Sequence, residues 1–548
     1  MSSARPPDPG LEPIDGLPAG KPGALDFPLT DLGNAERLVA EHGRDLRYAV
    51  GLGWLAWDGR RWKPDRDGEA LRRAKLMVRS IYARAAELDG SDDRKRLTKH
   101  AVASESESRL RAAVKLAESD LAVIVEAKHL NADPLLFNAA NGTIDLRTGE
   151  LREHARADLM TRITGAVYRP DAHSGLWESS VSRATGGDEE LAGFLQRAVG
   201  YSMTGLTSED KLFFAHGPTA TAKSSLLEAV KAALGEYAMT ADFEMFLKRR
   251  GEAGIKNDLA RLDGARFVIS IEVDEGKQLA EGVVKMLTGG DTVVARFLYH
   301  ESFEFHPVFT LWLAANERPR VNADDDAMWR RILQIPFVHQ IPPADRDERV
   351  KLKLRTDPDV QSAILTWAVQ GCLKWQQLGL AAPALVRDYT DEYRAENDPL
   401  RDFLTDICAL GPEQEVVTAD LRAAYDKWTH DSGEKAVGVK AFASKLKARG
   451  CTPAKDPAGR RTWRGITLRE HSDSLAQTQP AEPASVSGNF SMHTPHEEVL
   501  ETGVCDAEAS SNLDPVAPEP PNQGQHDPLA NLATILQDTY ADPRPEPE

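Results

Sequence analysis

The chain has 548 residues, of which 41% are hydrophobic, enough for several domains with sizeable cores. It lacks a run of about 18 apolar residues and a basic-then-apolar start, so we expect neither a membrane span nor a secretory signal. Four cysteines without a CxxC pair argue against a zinc site or a disulfide framework and favour a reducing cytoplasm.

The formal net charge of −18 is unevenly distributed along the chain. Residues 471–548 contain fourteen acidic residues and one Arg, whereas residues 417–470 contain twelve Lys and Arg against six acids. A local basic region is typical of phosphate binding, so the acidic total does not exclude a nucleic-acid partner.

The first part of the chain is predicted to contain a disordered stretch and then an ordered domain. Residues 1–28 are rich in Pro and Gly and are predicted to be disordered. Residues 29–174 are predicted to form an α+β domain. Its elements are β-hairpins at 48–62, turning at Asp58-Gly59, and at 137–151, with mostly helical periodicity between 70 and 130.

Residues 175–400 alternate between short apolar strands and helices. Strands are expected at 212–217, 265–272, 308–316 and 332–337, and helices at 224–234 and 279–289. This alternation predicts an α/β domain with a parallel sheet covered on both faces. Residues 401–470 are predicted to be a small winged-helix-like domain, and residues 471–548 a disordered acidic tail.

The stretch GPTATAKSS, which starts at Gly217, has the outline of a phosphate-binding loop between a strand and a helix. Its template is G-x-x-x-x-G-K-[ST], and Ala222 replaces the second Gly. In such loops backbone N–H groups face the phosphates, the Lys reaches them, and the hydroxyl binds Mg²⁺. The predicted ATP-contacting residues are Gly217, Pro218, Thr219, Ala220, Thr221, Ala222, Lys223, Ser224 and Ser225, with Ser224 also a Mg²⁺ ligand.

Polar residues follow the later predicted strands. Glu272, with Asp274 and Glu275 as alternatives, could hold Mg²⁺ and polarise the attacking water, while Asn316 suits a group that orients the γ-phosphate. Each feature alone is more typical of a solvated strand end or turn. Together they favour a ligand site, because α/β sheets bind ligands at the carboxyl ends of their strands.

The motifs around these residues resemble those of superfamily 3 helicases, in particular the phage and plasmid primase-helicases related to the poxvirus primase-helicase. The matching segments include GPTATAKSS, FVISIEVDEGKQL, LWLAANERPRV and MWRRILQIPF, and the resemblance extends from about residue 29 to 470. It implies an AAA+-type P-loop NTPase core, a homo-hexameric ring and ATP-driven movement along single-stranded or forked DNA. It also implies that Arg331, or its neighbour Arg330, is an arginine finger acting on the next subunit.

The resemblance further implies DNA-binding positions. The predicted hairpin 291–305 corresponds to a pore loop, with Arg296 and His300 as candidate DNA contacts. Lys285, in the segment before the hairpin, is a further candidate. In the winged-helix-like region the candidates are Lys445 and Lys447 on the helix offered to a groove, and Arg460 and Arg461 on the wing.

We therefore interpret the sequence as an ATP- and Mg²⁺-dependent replicative helicase in the cytoplasm of a bacterial host, working with a separate primase or other replisome proteins. If Ala222 adopts positive φ, the strain costs roughly 1 kcal/mol and slows but does not abolish ATP turnover. The short upstream region lacks an obvious metal-binding acid and His set, so we expect no primer synthesis by this chain. The alternatives are a DNA-binding initiator or scaffold with a decayed nucleotide site, and an ATPase switch that loads another helicase.

Overall fold

The structure is a computed structural model that describes residues 26–248, 255–271, 277–296, 302–322, 325–398, 400–433 and 436–469. These residues belong to the first of two compact units, Met1–His471, while the second, Ser472–Glu548, lies outside the described residues. The predicted disorder at residues 1–28 and 471–548 therefore falls almost entirely on residues that are not described. In the part of the chain that is described, we find no helix that is both long and apolar enough for a membrane span.

The N-terminal region combines a small sheet with a helical layer. Its elements are α1 (Asp31–His42), β1 (Leu46–Ala49), β2 (Gly53–Trp57), β3 (Trp62–Pro64), α2 (Glu69–Glu87), α3 (Ser91–Ser104), α4 (Glu107–Ala117) and β4 (Ile124–Val125). The predicted hairpin at 48–62 forms three strands instead of two. Gly51 and Gly53 have positive φ and permit a first turn after β1, and Asp58 N donates to Arg61 O at the second.

A three-stranded antiparallel sheet follows, made of β5 (Leu136–Ala139), β6 (Gly142–Asp145) and β7 (Glu150–Arg152). The hairpin predicted at 137–151 is present and consists of three strands instead of two. The apolar residues of β5 and β6 pack in the same hydrophobic core as the helices and strands that come later in the chain. This core thus begins well before residue 175, the predicted start of the second domain.

The central region is built on a five-stranded sheet. Its elements are α5 (Gly175–Thr185), α6 (Glu189–Ser202), β8 (Leu212–His216), α7 (Lys223–Leu234), β9 (Ala238–Thr240), α8 (Ile255–Ala260), β10 (Phe267–Ile271), α9 (Glu281–Thr288), β11 (Val293–Ala295), β12 (Phe303–Phe305), β13 (Thr310–Ala315), α10 (Asp326–Trp329), β14 (Ile332–Pro336), α11 (Glu348–Thr356), α12 (Pro358–Leu378) and α13 (Ala384–Glu396). The sheet order is β14-β8-β13-β10-β9, and every pairing is parallel.

The strands of this sheet are apolar because both faces are covered. Alternate residues of β8, for example Phe213 and Phe214, belong to two different hydrophobic cores, one on each face. The predicted hairpin at 291–305 is present as the antiparallel pair β11 and β12, and its tip lies outside the described residues.

The C-terminal region has its own core around Phe403, Tyr425 and Trp463. Its elements are α14 (Arg401–Ile407), β15 (Cys408–Val417), α15 (Thr418–Asp431), α16 (Val439–Ala448), β16 (Thr452–Lys455) and β17 (Arg461–Leu468). The three strands form an antiparallel sheet in the order β15-β17-β16. Helix α16 and the β16–β17 pair lie where the sequence analysis expects the groove helix and the wing, while α14 and the long strand β15 were not predicted.

Candidate functional site

The candidate phosphate loop connects β8, an interior strand of the central sheet, to α7. The loop has two non-glycine residues in the left-handed region, Ala220 at φ 62° and Ala222 at φ 66°. Ala222 occupies the position before the first turn of α7 and caps the helix with no side-chain hydrogen bond. The first N–H groups of α7 lack intrahelical partners, as at any helix start, and so are available to an anion.

Gly217 is required by a close backbone approach rather than by the ligand. A Cβ at this position would lie 1.9 Å from Phe337 O, in the segment after β14. The same segment hydrogen-bonds two carbonyl groups of the loop. Ile341 N donates to Ala220 O at 2.8 Å, and Gln340 Nε2 donates to Thr219 O at 3.2 Å. The chain beyond β14 thus braces the loop from the side of its carbonyl groups.

Lys223 is the buried cation of the site. Only 6% of it is exposed, and its Nζ donates to Gly217 O at 2.5 Å, Pro218 O at 2.7 Å and Asn316 Oδ1 at 3.1 Å. Burial lowers the pKa of Lys223 to about 8. The ammonium group is therefore held in the loop by neutral acceptors, and an anionic phosphate would be a stronger partner for it than these oxygens.

The structure brings together Lys223 and Asn316, which are 93 positions apart in the sequence. Asn316 follows β13 directly, and β13 lies next to β8 in the sheet with Ala315 in register with His216. Ser224 and Ser225, in the first turn of α7, are half-buried. Lys223 and Asn316 thus lie together at the carboxyl edge of the sheet, the edge at which the sequence analysis expects a ligand site.

The predicted acidic residues Glu272, Asp274 and Glu275 lie outside the described residues. The last described residue of β10, Ile271, is in register with Ala314 of β13, so β10 ends beside the strand that carries Asn316. Among the described residues no group of three His, Cys, Asp or Glu side chains could hold a metal ion. Ser224 alone of the predicted Mg²⁺ ligands is described, and its place at the start of α7 fits a hydroxyl ligand.

The two arginines after α10 differ sharply in exposure. Arg331 is 8% exposed, and its guanidinium donates from Nε to Thr288 Oγ1 at 3.1 Å and from Nη1 to Ala327 O at 2.7 Å. Its side chain is thus engaged within its own chain, contrary to the expectation of a group that reaches a neighbouring subunit. Arg330 is exposed.

A buried polar network, not anticipated from the sequence, links β14, β8 and the segment after β13. Gln334 is fully buried, and with its amide oxygen facing the donors it accepts from His216 Nδ1 at 2.9 Å and from Arg318 Nε at 3.1 Å. Burial, with Arg318 and Lys223 nearby, lowers the pKa of His216 to about 4, so the imidazole is neutral. The only sequence signal for this network is a Gln inside the apolar run ILQIPF.

The DNA-contact candidates of the central region fall into three groups. Lys285 forms an ion pair with Asp325 at 2.6 Å, so its ammonium group already has a partner. Arg296, directly after β11, is exposed. His300 lies outside the described residues.

The C-terminal candidates are mostly on the surface. Lys447 and Arg461 are exposed, and Arg460 is exposed but paired with Asp456 at 2.7 Å. Lys445 is only 7% exposed, because α16 turns this position, together with Phe442 and Leu446, towards the core. The prediction that Lys445 faces a groove is therefore wrong, while Lys447 stays a candidate.

Comparisons with known proteins find one matching family model and several viral relatives. Residues 35–186 match the family model described as D5 N terminal like. The chain is 28% identical over 298 residues to a protein named as a putative helicase in Acanthamoeba polyphaga mimivirus, and 26% identical over 261 residues to one so named in Frog virus 3 (isolate Goorha). These alignments cover 51% and 44% of this chain but 31% and 26% of the relatives, so the chain spans about a third or less of their length.

A solved apo structure of the NrS-1 C terminal region matches 66% of this chain and 91% of that chain, at 10% identity and a TM-score of 0.37. A score this low does not establish a common fold. The described residues form a mixed α/β protein with a parallel central sheet. The family match of residues 35–186 and the viral relatives support a similarity to the D5-like primase-helicases.

Proposed function

We propose that the chain is an ATP-dependent DNA helicase with an AAA+-type P-loop core of the superfamily 3 kind. The observation that carries this proposal is the contact between Lys223 and Asn316 across neighbouring parallel strands, at the end of the sheet where a phosphate loop precedes a helix. The names of the viral relatives and the family match support a helicase or primase role in DNA replication.

The sheet order supports a nucleotide-hydrolysing core in particular. Strand β13 lies between β8, which leads into the phosphate loop, and β10, which leads towards Glu272. The amide of Asn316 thus follows the strand that lies between β8, which leads to Lys223, and β10, whose sequence continues to the carboxylate proposed to polarise water. This order supports a hydrolytic site. Mg²⁺, when bound by Ser224 and the acidic segment after β10, would neutralise charge on the phosphates.

In this mechanism the N–H groups of the loop and the start of α7 hold the phosphates, and Lys223 exchanges its carbonyl partners for phosphate oxygens. Asn316 then orients the terminal phosphate or the water. A ring would place each ATP between two subunits, and Arg330 is the better of the two arginines to act on the neighbour's ATP because it is exposed, whereas Arg331 is buried.

DNA binding is assigned to the pore-side hairpin β11–β12 and to the C-terminal region. The order α14-β15-α15-α16-β16-β17 fits a winged helix, in which α16 faces a groove and the β16–β17 turn forms the wing. The exposed cations Lys447 and Arg461 support this assignment. No primer synthesis is proposed for this chain.

The test is ATP hydrolysis by the purified chain, with and without single-stranded DNA, followed by strand separation on a forked duplex. Lys223→Ala should abolish hydrolysis. The matched control is Lys231→Ala, since Lys231 lies on the same helix and makes only a partly exposed ion pair with Glu228 at 3.3 Å. Hydrolysis that persists in Lys223→Ala, or is absent from the wild type, would contradict the proposal.

A second candidate function is a DNA-binding initiator or scaffold with a weakened nucleotide site. The observation that favours it is the left-handed conformation of Ala222, a strained arrangement at the position where the phosphate-loop template has Gly. It predicts DNA binding by the wild type without ATP turnover. DNA-stimulated turnover in the wild type would exclude it.

A further inference from the structure

Strands β14, β8 and β13 end side by side next to the phosphate loop, and His216 of β8 contacts both of the other two. His216, the last residue of β8, is in register with Pro336 of β14 on one side and Ala315 of β13 on the other. Its carbonyl oxygen accepts from Phe337 N at 2.7 Å. Its side chain faces the same three elements, because Nδ1 donates to Gln334 on β14 and the imidazole interacts with the backbone of Asn316, which follows β13.

Gln334 is the centre of this connection. Its oxygen accepts from His216 and Arg318, its side-chain nitrogen donates to Tyr389 O at 3.0 Å, and its backbone N–H donates to Thr390 Oγ1 at 3.0 Å. An unpaired buried amide would cost about 1–3 kcal/mol, so an apolar side chain would be the simpler choice for packing alone. A fully bonded amide instead fixes the relative positions of its partners.

Arg318 gives the network an anchor outside the sheet. The guanidinium forms ion pairs with Glu392 and Glu396 on α13 and lies over the ring of Tyr393, 5.6 Å from its centroid. Arg318 follows Asn316 by two residues. The segment that carries the amide of Asn316 is therefore held on one side by His216 and on the other by Arg318, and both are tied to the same oxygen of Gln334.

We propose that Gln334 is a positioning residue, which acts through His216 and Arg318 to hold the Asn316 amide against Lys223 and towards the terminal phosphate. The inference rests on the proposed ATP hydrolysis. The Lys223–Asn316 hydrogen bond of 3.1 Å depends on the spacing of the ends of β8 and β13, and Gln334 sets that spacing from the neighbouring strand. A displacement of about 1 Å between reacting groups costs up to about 100-fold in rate, so a loosened Asn316 should slow turnover more than binding.

The experiment compares kcat, KM for ATP and the affinity for ADP in the wild type and in Gln334→Met, which keeps the side-chain volume and removes the amide. We expect kcat to fall about 10-fold, with KM and ADP affinity within about 2-fold of the wild type. Gln334→Glu keeps an acceptor for His216 and Arg318, and should recover most of the lost kcat. If Gln334→Met does not fold, His216→Leu replaces it, because this variant removes the donor of the His216–Gln334 hydrogen bond. Its kcat, KM and ADP affinity are then compared with the wild type in the same way.

The control for a general loosening of the sheet is Ser202→Ala. Ser202 is fully buried and accepts from Trp312 Nε1 at 3.0 Å on β13, away from the strand ends. It should leave kcat within about 2-fold of the wild type. If the wild type is active, an unchanged kcat in Gln334→Met overturns the inference and leaves the proposed function intact. The inference also fails if Ser202→Ala loses as much kcat as Gln334→Met, or if the KM of Gln334→Met for ATP rises as much as its kcat falls. A wild type without hydrolysis overturns the proposed function and the inference together.

Discussion

Replacing Ala222 by Gly should stabilise the fold, although Ala→Gly is normally destabilising. Ala222 has φ 66° and ψ 2°, a conformation that costs an L-residue about 1–2 kcal/mol and Gly nothing. Against this gain, Gly adds about 0.4–1 kcal/mol of unfolded-state entropy. Loss of the half-buried methyl, which packs against the main core, removes a further ~0.4 kcal/mol, half the value for a buried CH₂. The net gain is about 0.5 kcal/mol.

The matched comparison is Ala232→Gly. Ala232 is also half-buried and lies on the same helix, α7, but with ordinary helical geometry, so the change should cost about 1 kcal/mol. The two variants should therefore differ by about 1.5 kcal/mol and have opposite signs. For a folding unit of 150–250 residues this corresponds to a difference of about 3–6 °C in transition midpoint.

The assay is scanning calorimetry of the full chain, read at the transition that ADP shifts, because a chain of this size need not unfold in one step. Ala222→Gly should raise this midpoint and Ala232→Gly should lower it. A fall in Ala222→Gly as large as that in Ala232→Gly would refute the strain argument. In parallel, ATP turnover should increase in Ala222→Gly, because Gly adopts the left-handed conformation of the loop without strain and lets a phosphate approach the backbone closely.

Three further predictions concern charged side chains. The pKa of Lys223 is about 8 in the folded protein, below its value in the unfolded chain. Burial of the charged ammonium group therefore lowers the stability of the fold at pH 7.5, and this loss of stability disappears as the pH rises towards 10. Lys223→Met should therefore exceed the wild type in thermal midpoint at pH 7.5, and the gap should narrow by pH 9.5. Arg331→Ala should lose about 2–3 kcal/mol of stability through its buried hydrogen bonds, measured by denaturant unfolding, whereas Arg330→Ala should leave stability unchanged and reduce only ATP turnover. Lys447→Ala should reduce the salt dependence of DNA binding by about one unit of log–log slope in a fluorescence titration, while Lys445→Ala should change stability and leave that slope unchanged.

Local pattern was sufficient for the loop between β8 and α7 and for four of the five strands of the central sheet, while β9 was not predicted. Short apolar runs such as the one before Gly217 form strands buried on both faces, and the Lys-Ser pair that follows begins a helix, so period and spacing identified both. Strand-end placement also put Lys223 and Asn316 at the same edge of the sheet. These features depend on residues close in sequence, or on the general rule that parallel strands end at one edge.

The neighbours of each charged side chain, in contrast, were decided only by tertiary structure. Helical spacing did not distinguish Lys445 from Lys447, and adjacency did not distinguish Arg330 from Arg331, since exposure depends on which face the rest of the chain covers. In the sequence, Gln334 is a polar residue in an apolar strand with no visible partner. The fold supplies its partners, because it brings His216 and Arg318 to Gln334 from two other segments. The order of the strands in a parallel sheet is set by long-range packing. The residues of one strand therefore give almost no information about which strands lie next to it.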